Sequence, residues 1–415
     1  MKVLYYGESP LNPTGFGQVN KHILSAINEV ADELVLVAST HFHESHDMPY
    51  TIIPCESWED QRNSKNIEKY LKEEPWDVFM YQGDMGANDQ VLQWAAEIQK
   101  EHPQRDTVFY MPIDGDISLG HAFHPFSWCS APVVYTNHAK SVIAKHAPHI
   151  AEKTSVIWLG CETDVFYPLP EDERRKARIE FFGEQYLNRF MVMNVNRNQV
   201  RKDLARCMAA FHVFHEKYPD STLYMHSVPN DAGGSLPVQA ILVGCDVQAQ
   251  PAEVAFANLN LSNAWPRETL NRLYNAVDLL VSTSYGEGWG LTTSEAMCAG
   301  TPVMAPANTA NLDILGERLP DRPYFERERG YGVKTGGDLD HTTFIYANGG
   351  GPVPHVHLES FVATMEYIYH HREEAQQKAK EALAWCQANT WQHREKNWQD
   401  LMTLIKQSHS TRITT

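Results

Sequence analysis

Basic residues are scarce in this chain of 415 residues: 35 Lys and Arg stand against 52 Asp and Glu, a formal net charge of −17. The imbalance is concentrated in residues 1–165, with 11 basic and 23 acidic side chains. A general polyanion binder needs the opposite sign, so that class is excluded. Long apolar runs are also missing; none approaches the ~18 uninterrupted residues of a membrane span. The opening MKVLYYGESP has no apolar core region or small-residue cleavage site, so secretion is not expected. The seven cysteines (55, 129, 161, 207, 245, 298 and 386) are odd in number and never form a C-x-x-C pair. Their spacing predicts neither a disulfide framework nor a zinc site, and the expected compartment is a reducing cytoplasm.

What is present is an ordinary globular composition, 43% hydrophobic and 21% charged, in a chain too long for one core, since cores stop growing beyond roughly 250–300 residues. Apolar runs alternate with amphipathic stretches. Strands are predicted at 2–6, 33–39, 77–81, 107–111, 133–136 and 155–158, with helices near 16–30, 64–73, 89–100 and 138–146. The charged segment 168–182 reads as a linker and short helix. A second series follows, with strands at 190–195, 222–226, 279–282 and 302–305 and a helix over 203–218. Residues 316–357 read as irregular and include NGGGPVPHVH, a candidate mobile loop; from 358 to about 407 the chain reads as helix. Such alternation predicts an α/β protein of parallel sheets covered on both faces. Ligands of such sheets bind beyond the carboxyl ends of the strands.

The stretch YGEGWGLTTSEAMCAGTPV (285–303) is the most informative. Glu287 and Glu295 flank a turn in which Gly286, Gly288 and Gly290 allow close backbone approach. The small-residue helix that follows offers N–H groups and a positive dipole end to a phosphate. The carboxylates can accept bonds from sugar and ribose hydroxyls. Arg197, Arg201 and Lys202 follow a strand in NVNRNQVRKD and can meet a diphosphate; by themselves they also read as a solvated turn. Gly15, Phe16 and Gly17 in PTGFGQVNKHIL form a second Gly-rich turn after the first strand, which alone reads equally well as a tight turn.

Together these segments resemble family 4 of the retaining, nucleotide-sugar-dependent glycosyltransferases. Glu287 and Glu295 meet the family's E-x7-E motif, followed by EAMCAGTPV. ETLNRLYNAVDLLVSTS (268–284) is similar to the helix and strand that lead to it, and WLGCETDVFYPL (158–169) to the exit from the first domain. NTWQHREKNW is similar to the closing helix. The resemblance implies the GT-B fold: two facing Rossmann-like, doubly wound domains with an interdomain cleft. The implied boundaries are an acceptor domain over 1–168, a donor domain over 169–385 and a helix over 386–415 returning to the first domain. It also implies sugar transfer to a hydroxyl of a glycan or small molecule with configuration retained. No cofactor and no metal are expected, and a UDP- or GDP-sugar serves as co-substrate. Catalytic roles are implied for Arg197, Lys202, Glu287 and Asp114, the last standing in FYMPIDGD where members often carry His. Donor binding is implied for Gly15, Phe16, Gly17, Arg197, Lys202, Glu287, Gly288, Trp289, Gly290, Leu291, Thr292 and Glu295.

Other readings compete. Residues 118–153 combine Lys140, Lys145 and Lys153 with Phe123, Phe126, Trp128 and Tyr135, a mix that can hold a nucleic-acid strand and stack a flipped base. Transfer of sugar to hydroxymethylated DNA bases is therefore the runner-up, against the reading of this strip as packed helix and strand with a cationic outer face. A nucleotide-sugar epimerase shares the architecture, and a non-catalytic binder would hold nucleotide without transfer. Two carboxylates can also serve a glycosidase, which needs no diphosphate clamp. HFHESHD (41–47) and HVH (355–357) raise a metal reading, and Asp114-Gly115-Asp116 is first of all a turn. Base, sugar, acceptor and oligomeric state are not legible.

Overall fold

Continuous apolar runs such as KVLYYG and DTVFYM become strands buried on both faces, as a parallel sheet demands. The computed structural model describes residues 1–40, 45–55, 60, 62–117, 123–249, 251–259, 265–344 and 352–414. The chain divides into two compact units, one built on Met1–Gly160 and Trp391–Thr415, the other on Cys161–Ile345 and Pro352–Thr390.

In the first unit, strands β1 (Lys2–Gly7), β2 (Glu33–Ala38), β3 (Thr51–Ile53), β4 (Val78–Gln82), β5 (Asp106–Met111), β6 (Ala131–Val134) and β7 (Ser155–Val156) form a parallel sheet. Its order is β3-β2-β1-β4-β5-β6-β7, the doubly wound arrangement with its switch point between β1 and β4. Strand β3 was not predicted; three residues are too few to show a period. After β1 the chain turns into the helix Gly15–Asn28, whose Thr14 accepts a bond from Gly17 N at 3.1 Å. A Cβ on Gly17 would stand 2.3 Å from the Asn12 carbonyl oxygen, so only glycine fits. Buried Asn20 accepts from the Tyr5 hydroxyl at 2.6 Å and donates to the Glu8 carbonyl at 2.8 Å, fixing the turn from below.

The helix Trp391–Thr414 completes this unit. Its Trp391 stacks on His22 with ring centroids 4.4 Å apart, and Glu395 Oε1 lies 2.9 Å from His22 Nδ1. Trp398, fully buried, meets Tyr110 edge-on. Gly160 lies so close that a Cβ there would be 2.3 Å from Trp391 Cα.

The second unit repeats the plan. It contains β8 (Phe190–Val195), β9 (Ser221–His226), β10 (Asn230–Asp231), β11 (Gly234–Ser235), β12 (Val254–Phe256), β13 (Leu279–Val281), β14 (Val303–Pro306), β15 (Glu326–Arg327), β16 (Gly330–Val333), β17 (Thr342–Phe344) and β18 (Pro352–Pro354). The main sheet has the order β12-β9-β8-β13-β14-β16-β15, parallel except for β15. Helices Leu204–Lys217 and Leu358–His370 supply Phe211, Phe214, Phe361 and Met365 to a core shared with Phe190, Leu223 and Met225. The stretch expected to be irregular holds β15 to β18; GYGV of β16 lacks alternation because the strand is buried throughout. The segment read as helix from 358 onwards is broken at His371 and Asn389 into Leu358–His370, Arg372–Ala388 and Trp391–Thr414.

Candidate active site

Strands β8, β13 and β14 are neighbours, so the loops at their carboxyl ends converge. The Thr283 hydroxyl bonds to the carbonyls of Lys202 and Asp203, each at 3.0 Å, and Tyr285 N donates to Arg201 O at 2.9 Å. Asn308 Nδ2 donates to Tyr285 O, while Glu287 N donates to the Thr309 hydroxyl oxygen at 3.0 Å. Thr309 holds φ 45°, a region that costs a non-glycine residue about 1–3 kcal/mol. Neither Thr309 nor Asn308 was singled out from the sequence, because their part depends on β14 lying beside β13.

These contacts deliver Glu287 to Lys202 and Arg201. Lys202 Nζ forms an ion pair with Oε1; Arg201 Nη1 reaches Oε2 at 3.1 Å and also donates to the Gly286 carbonyl. Glu287 and Lys202 are 9% and 8% exposed. Burial opposes ionisation of Glu287, but the charges of Lys202 and then Arg201 outweigh it and hold the carboxyl at about 2.

Glu295 has the opposite character. It sits on the helix Leu291–Cys298, which opens at Gly290 (φ 100°) with no side-chain cap. Burial pushes its carboxyl up to about 7, and the charge of Glu162 adds to the rise. The Tyr274 hydroxyl, donating to Oε2 at 2.7 Å, and Arg267, 3.8 Å from Oε1, work against it. Arg267 is itself held by a two-pronged ion pair with Glu162. Tyr274, Arg267 and Glu162 were not assigned from the sequence. Tyr274 and Glu162 lie within segments that carry the family resemblance, which was the available signal.

Arg197 is placed apart from this cluster of charges. It is largely exposed and pairs with Asp231 on the β10–β11 hairpin, Nε to Oδ2 at 2.8 Å. Arg201, next to Lys202 in sequence, is the arginine on Glu287. Trp289 is buried, and Gly288, Leu291 and Thr292 are half-buried. In the first unit Gly15 is exposed, Phe16 half-buried and Gly17 buried at the start of the helix that follows β1. Asp114 is half-buried in the loop after β5, and Asp116 pairs with Lys145 at 3.3 Å.

Two alternative sequence readings change in part. Phe123 and Phe126 are fully buried and Tyr135 nearly so, packed in the core of the first unit. Lys153 donates to the Ser127 and Cys129 carbonyls. These rings are the apolar inner side of the strip and offer no stacking face, because burying them stabilises the fold more than exposing them would. The histidines of HVH diverge: His355 Nδ1 lies 3.0 Å from Asp203 Oδ2, whereas His357 turns to the Gly336 carbonyl and stacks on His341. His357 instead groups with Asp338 and His341, their ligand atoms within 4.8 Å of one another, a set that could hold an ion without His355. Residues 41–44 of HFHESHD lie outside the described residues.

A model of the family described as "Family 4 Glycosyltransferase in conflict systems" matches residues 260–397, which include Glu287 and Glu295. The D-inositol 3-phosphate glycosyltransferase of Corynebacterium kroppenstedtii is 27% identical over 184 residues, 44% of this chain, and the match spans 39% of that relative's length. Among solved structures, Anabaena HepE in complex with UDP and glucose superposes with a TM-score of 0.66 at 14% identity, covering 97% of this chain and 99% of that one. Sucrose-phosphate synthase of Thermosynechococcus elongatus gives 0.67 at 15%, covering 98% and 100%. At such identities the likeness establishes the fold alone, which is GT-B. Among the described residues no helix is long and apolar enough to cross a membrane.

Proposed function

We propose that this chain is a glycosyltransferase of the family 4 type, whose model it matches over residues 260–397, and that it moves a sugar from a nucleotide-diphosphate donor to a hydroxyl with retention of configuration and without a metal. The observation that carries the reading is the convergence of Lys202 and Arg201 on Glu287 beside the Gly-rich turn and the uncapped helix Leu291–Cys298. As the glycosidic bond breaks, negative charge grows on the departing β-phosphate. Cations held in place beforehand stabilise that charge without reorganising. In this role Lys202 and Arg201 do the work that a divalent ion does elsewhere, with Arg197 as an exposed outer contact.

Glu287, ionised throughout the neutral range, orients its partners and accepts from hydroxyls of the donor sugar. Glu295, its carboxyl pushed up to about 7 chiefly by burial, binds the ribose diol. The acceptor is a glycan or small-molecule hydroxyl; of the strip that suggested a hydroxymethylated DNA base, Phe123, Phe126 and Tyr135 lie in the core and only Trp128 is half-buried.

The test is a donor screen with UDP-, GDP-, ADP- and dTDP-sugars followed by mass spectrometry for released nucleotide and for glycosylated product. Acceptor pools include glycans, polyols and hydroxymethylated duplex DNA. Nucleotide release with mass gain on a hydroxyl acceptor is expected. Isomerised donor without any acceptor would instead make the protein an epimerase. Nucleotide binding with no transfer to any pool would overturn the reading.

A further inference from the structure

Three of the seven cysteines, scattered in sequence, meet in the folded second unit. The sulfur atoms of Cys161, Cys298 and Cys386 all lie within 4.8 Å of one another, the residues are 2%, 1% and 0% exposed, and none is in a disulfide. We propose that these three thiols bind one thiophilic d10 cation, copper(I) or zinc(II).

The backbone prepares the site. Cys161 N donates to the Asn389 carbonyl at 2.9 Å, tying it to the end of the helix that carries Cys386. Cys298 is the last residue of the helix Leu291–Cys298. Sulfurs bound to a common ion at about 2.3 Å stand about 4 Å apart in a trigonal plane, so closing onto a cation requires less than about 1 Å of movement per pair. No His, Asp or Glu joins this group among the described residues. An all-sulfur, three-ligand set selects soft cations and rejects magnesium and calcium. Copper(I) accepts trigonal coordination directly; zinc(II) would complete its shell with a small exogenous ligand.

Hydrogen bonding to Cys161 and burial push the Cys386 thiol up, and the Arg329 guanidinium opposes that rise only in part. It is fixed by bonds to the Ile314 and Asp313 carbonyls and lies over the Trp385 ring at 4.8 Å. Binding replaces three S–H bonds by three S–metal bonds and releases three protons to solvent, with no change of oxidation state. The position gives the ion a consequence. Cys161 adjoins Glu162, and Cys298 lies one helical turn beyond Glu295. A bound ion would therefore clamp the backbone on both sides of the Glu162–Arg267–Glu295 chain of charges.

The experiment is an anaerobic titration of the reduced full chain with copper(I), supplied as its acetonitrile complex, and separately with cadmium(II) as the spectroscopic stand-in for zinc(II). A thiolate-to-metal absorption band saturating at one equivalent is expected, with an upward shift in melting temperature. Cys298→Ala and Cys386→Ala should abolish it, and Cys55→Ala should keep it. A readout without variants covers any that fail to fold: alkylation of the loaded protein followed by peptide mass spectrometry should find Cys161, Cys298 and Cys386 protected. Competition between copper(I) and zinc(II) identifies the preferred ion. Absence of a band with both ions overturns the proposal, as does protection of other cysteines. A two-dalton loss on mild peroxide treatment without metal binding would replace it by a dithiol redox pair.

Discussion

Tyr274 donates its phenolic hydrogen to Glu295 Oε2 at 2.7 Å, from a helix that ends just before β13 to the helix that begins just after it. The bond favours the carboxylate of a group that burial has pushed up to about 7. Tyr274→Phe should raise that value further. The donor KM, measured from pH 6 to 9, should then reach its plateau at a higher pH than in the parent while kcat at the plateau changes little. An unshifted profile would mean that Glu295 does not titrate in the donor site.

Breaking the buried pair at Glu287 should cost more than the pair is worth. Lys202→Met leaves a buried carboxylate beside a single arginine, and such truncations cost about 3–5 kcal/mol. Adding Glu287→Gln should recover part of the lost melting temperature, yet donor turnover should remain at least 100-fold down in both variants. Recovery of turnover with stability would show that the pair is structural only.

The two acids predict opposite responses of the donor-free protein to pH. Glu287, depressed to about 2 from an ordinary 4.5, contributes stability that is present above about pH 4.5 and lost as pH falls through 2. Glu295, raised to about 7, contributes stability that is full below about pH 4.5 and lost as pH rises through 7. Glu295→Gln should therefore stabilise the chain at pH 8 relative to pH 5, by on the order of 1–3 kcal/mol. Denaturant unfolding at the two pH values checks this.

The two glycines that open the first helix should differ in what they tolerate. Gly17→Ala places a Cβ against the Asn12 carbonyl and should destabilise the first unit by about 1–3 kcal/mol. Gly15, exposed at the helix start, should accept alanine with no change in melting temperature. Equal melting temperatures for the two variants would contradict the steric account.

Omitting magnesium and manganese from the transfer assay should leave the rate within about twofold, because the cations facing the leaving phosphate are side chains. A tenfold fall would require a divalent ion at the donor phosphates.

The strands at 2–6, 107–111 and 190–195 were legible because apolar runs buried on both faces carry their own signal, and each appears within one residue of its predicted bounds. Residues in the Gly-rich turn were legible because glycines and acids at fixed spacing report local chemistry. What could not be read was anything set by strand order. The choice of Arg201 rather than Arg197 as the arginine on Glu287, the grip of Thr309 on its backbone and the meeting of three distant cysteines all follow from which strands and helices become neighbours. The aromatic strip changed for a related reason: a sequence shows that Phe123 and Phe126 are present, but that they turn inward from the short helix His124–Trp128 is decided by packing.

The helix Trp391–Thr414 belongs to the same unit as Met1–Gly160, which sets an order of events during synthesis. The second unit has all its strands once Pro354 has been made, whereas the first, begun earlier, waits for Trp391 and Trp398 to seal against His22 and Tyr110. The part of the protein translated first is thus finished last, and removal of the final helix should leave a nascent first unit with its apolar flank open to chaperones.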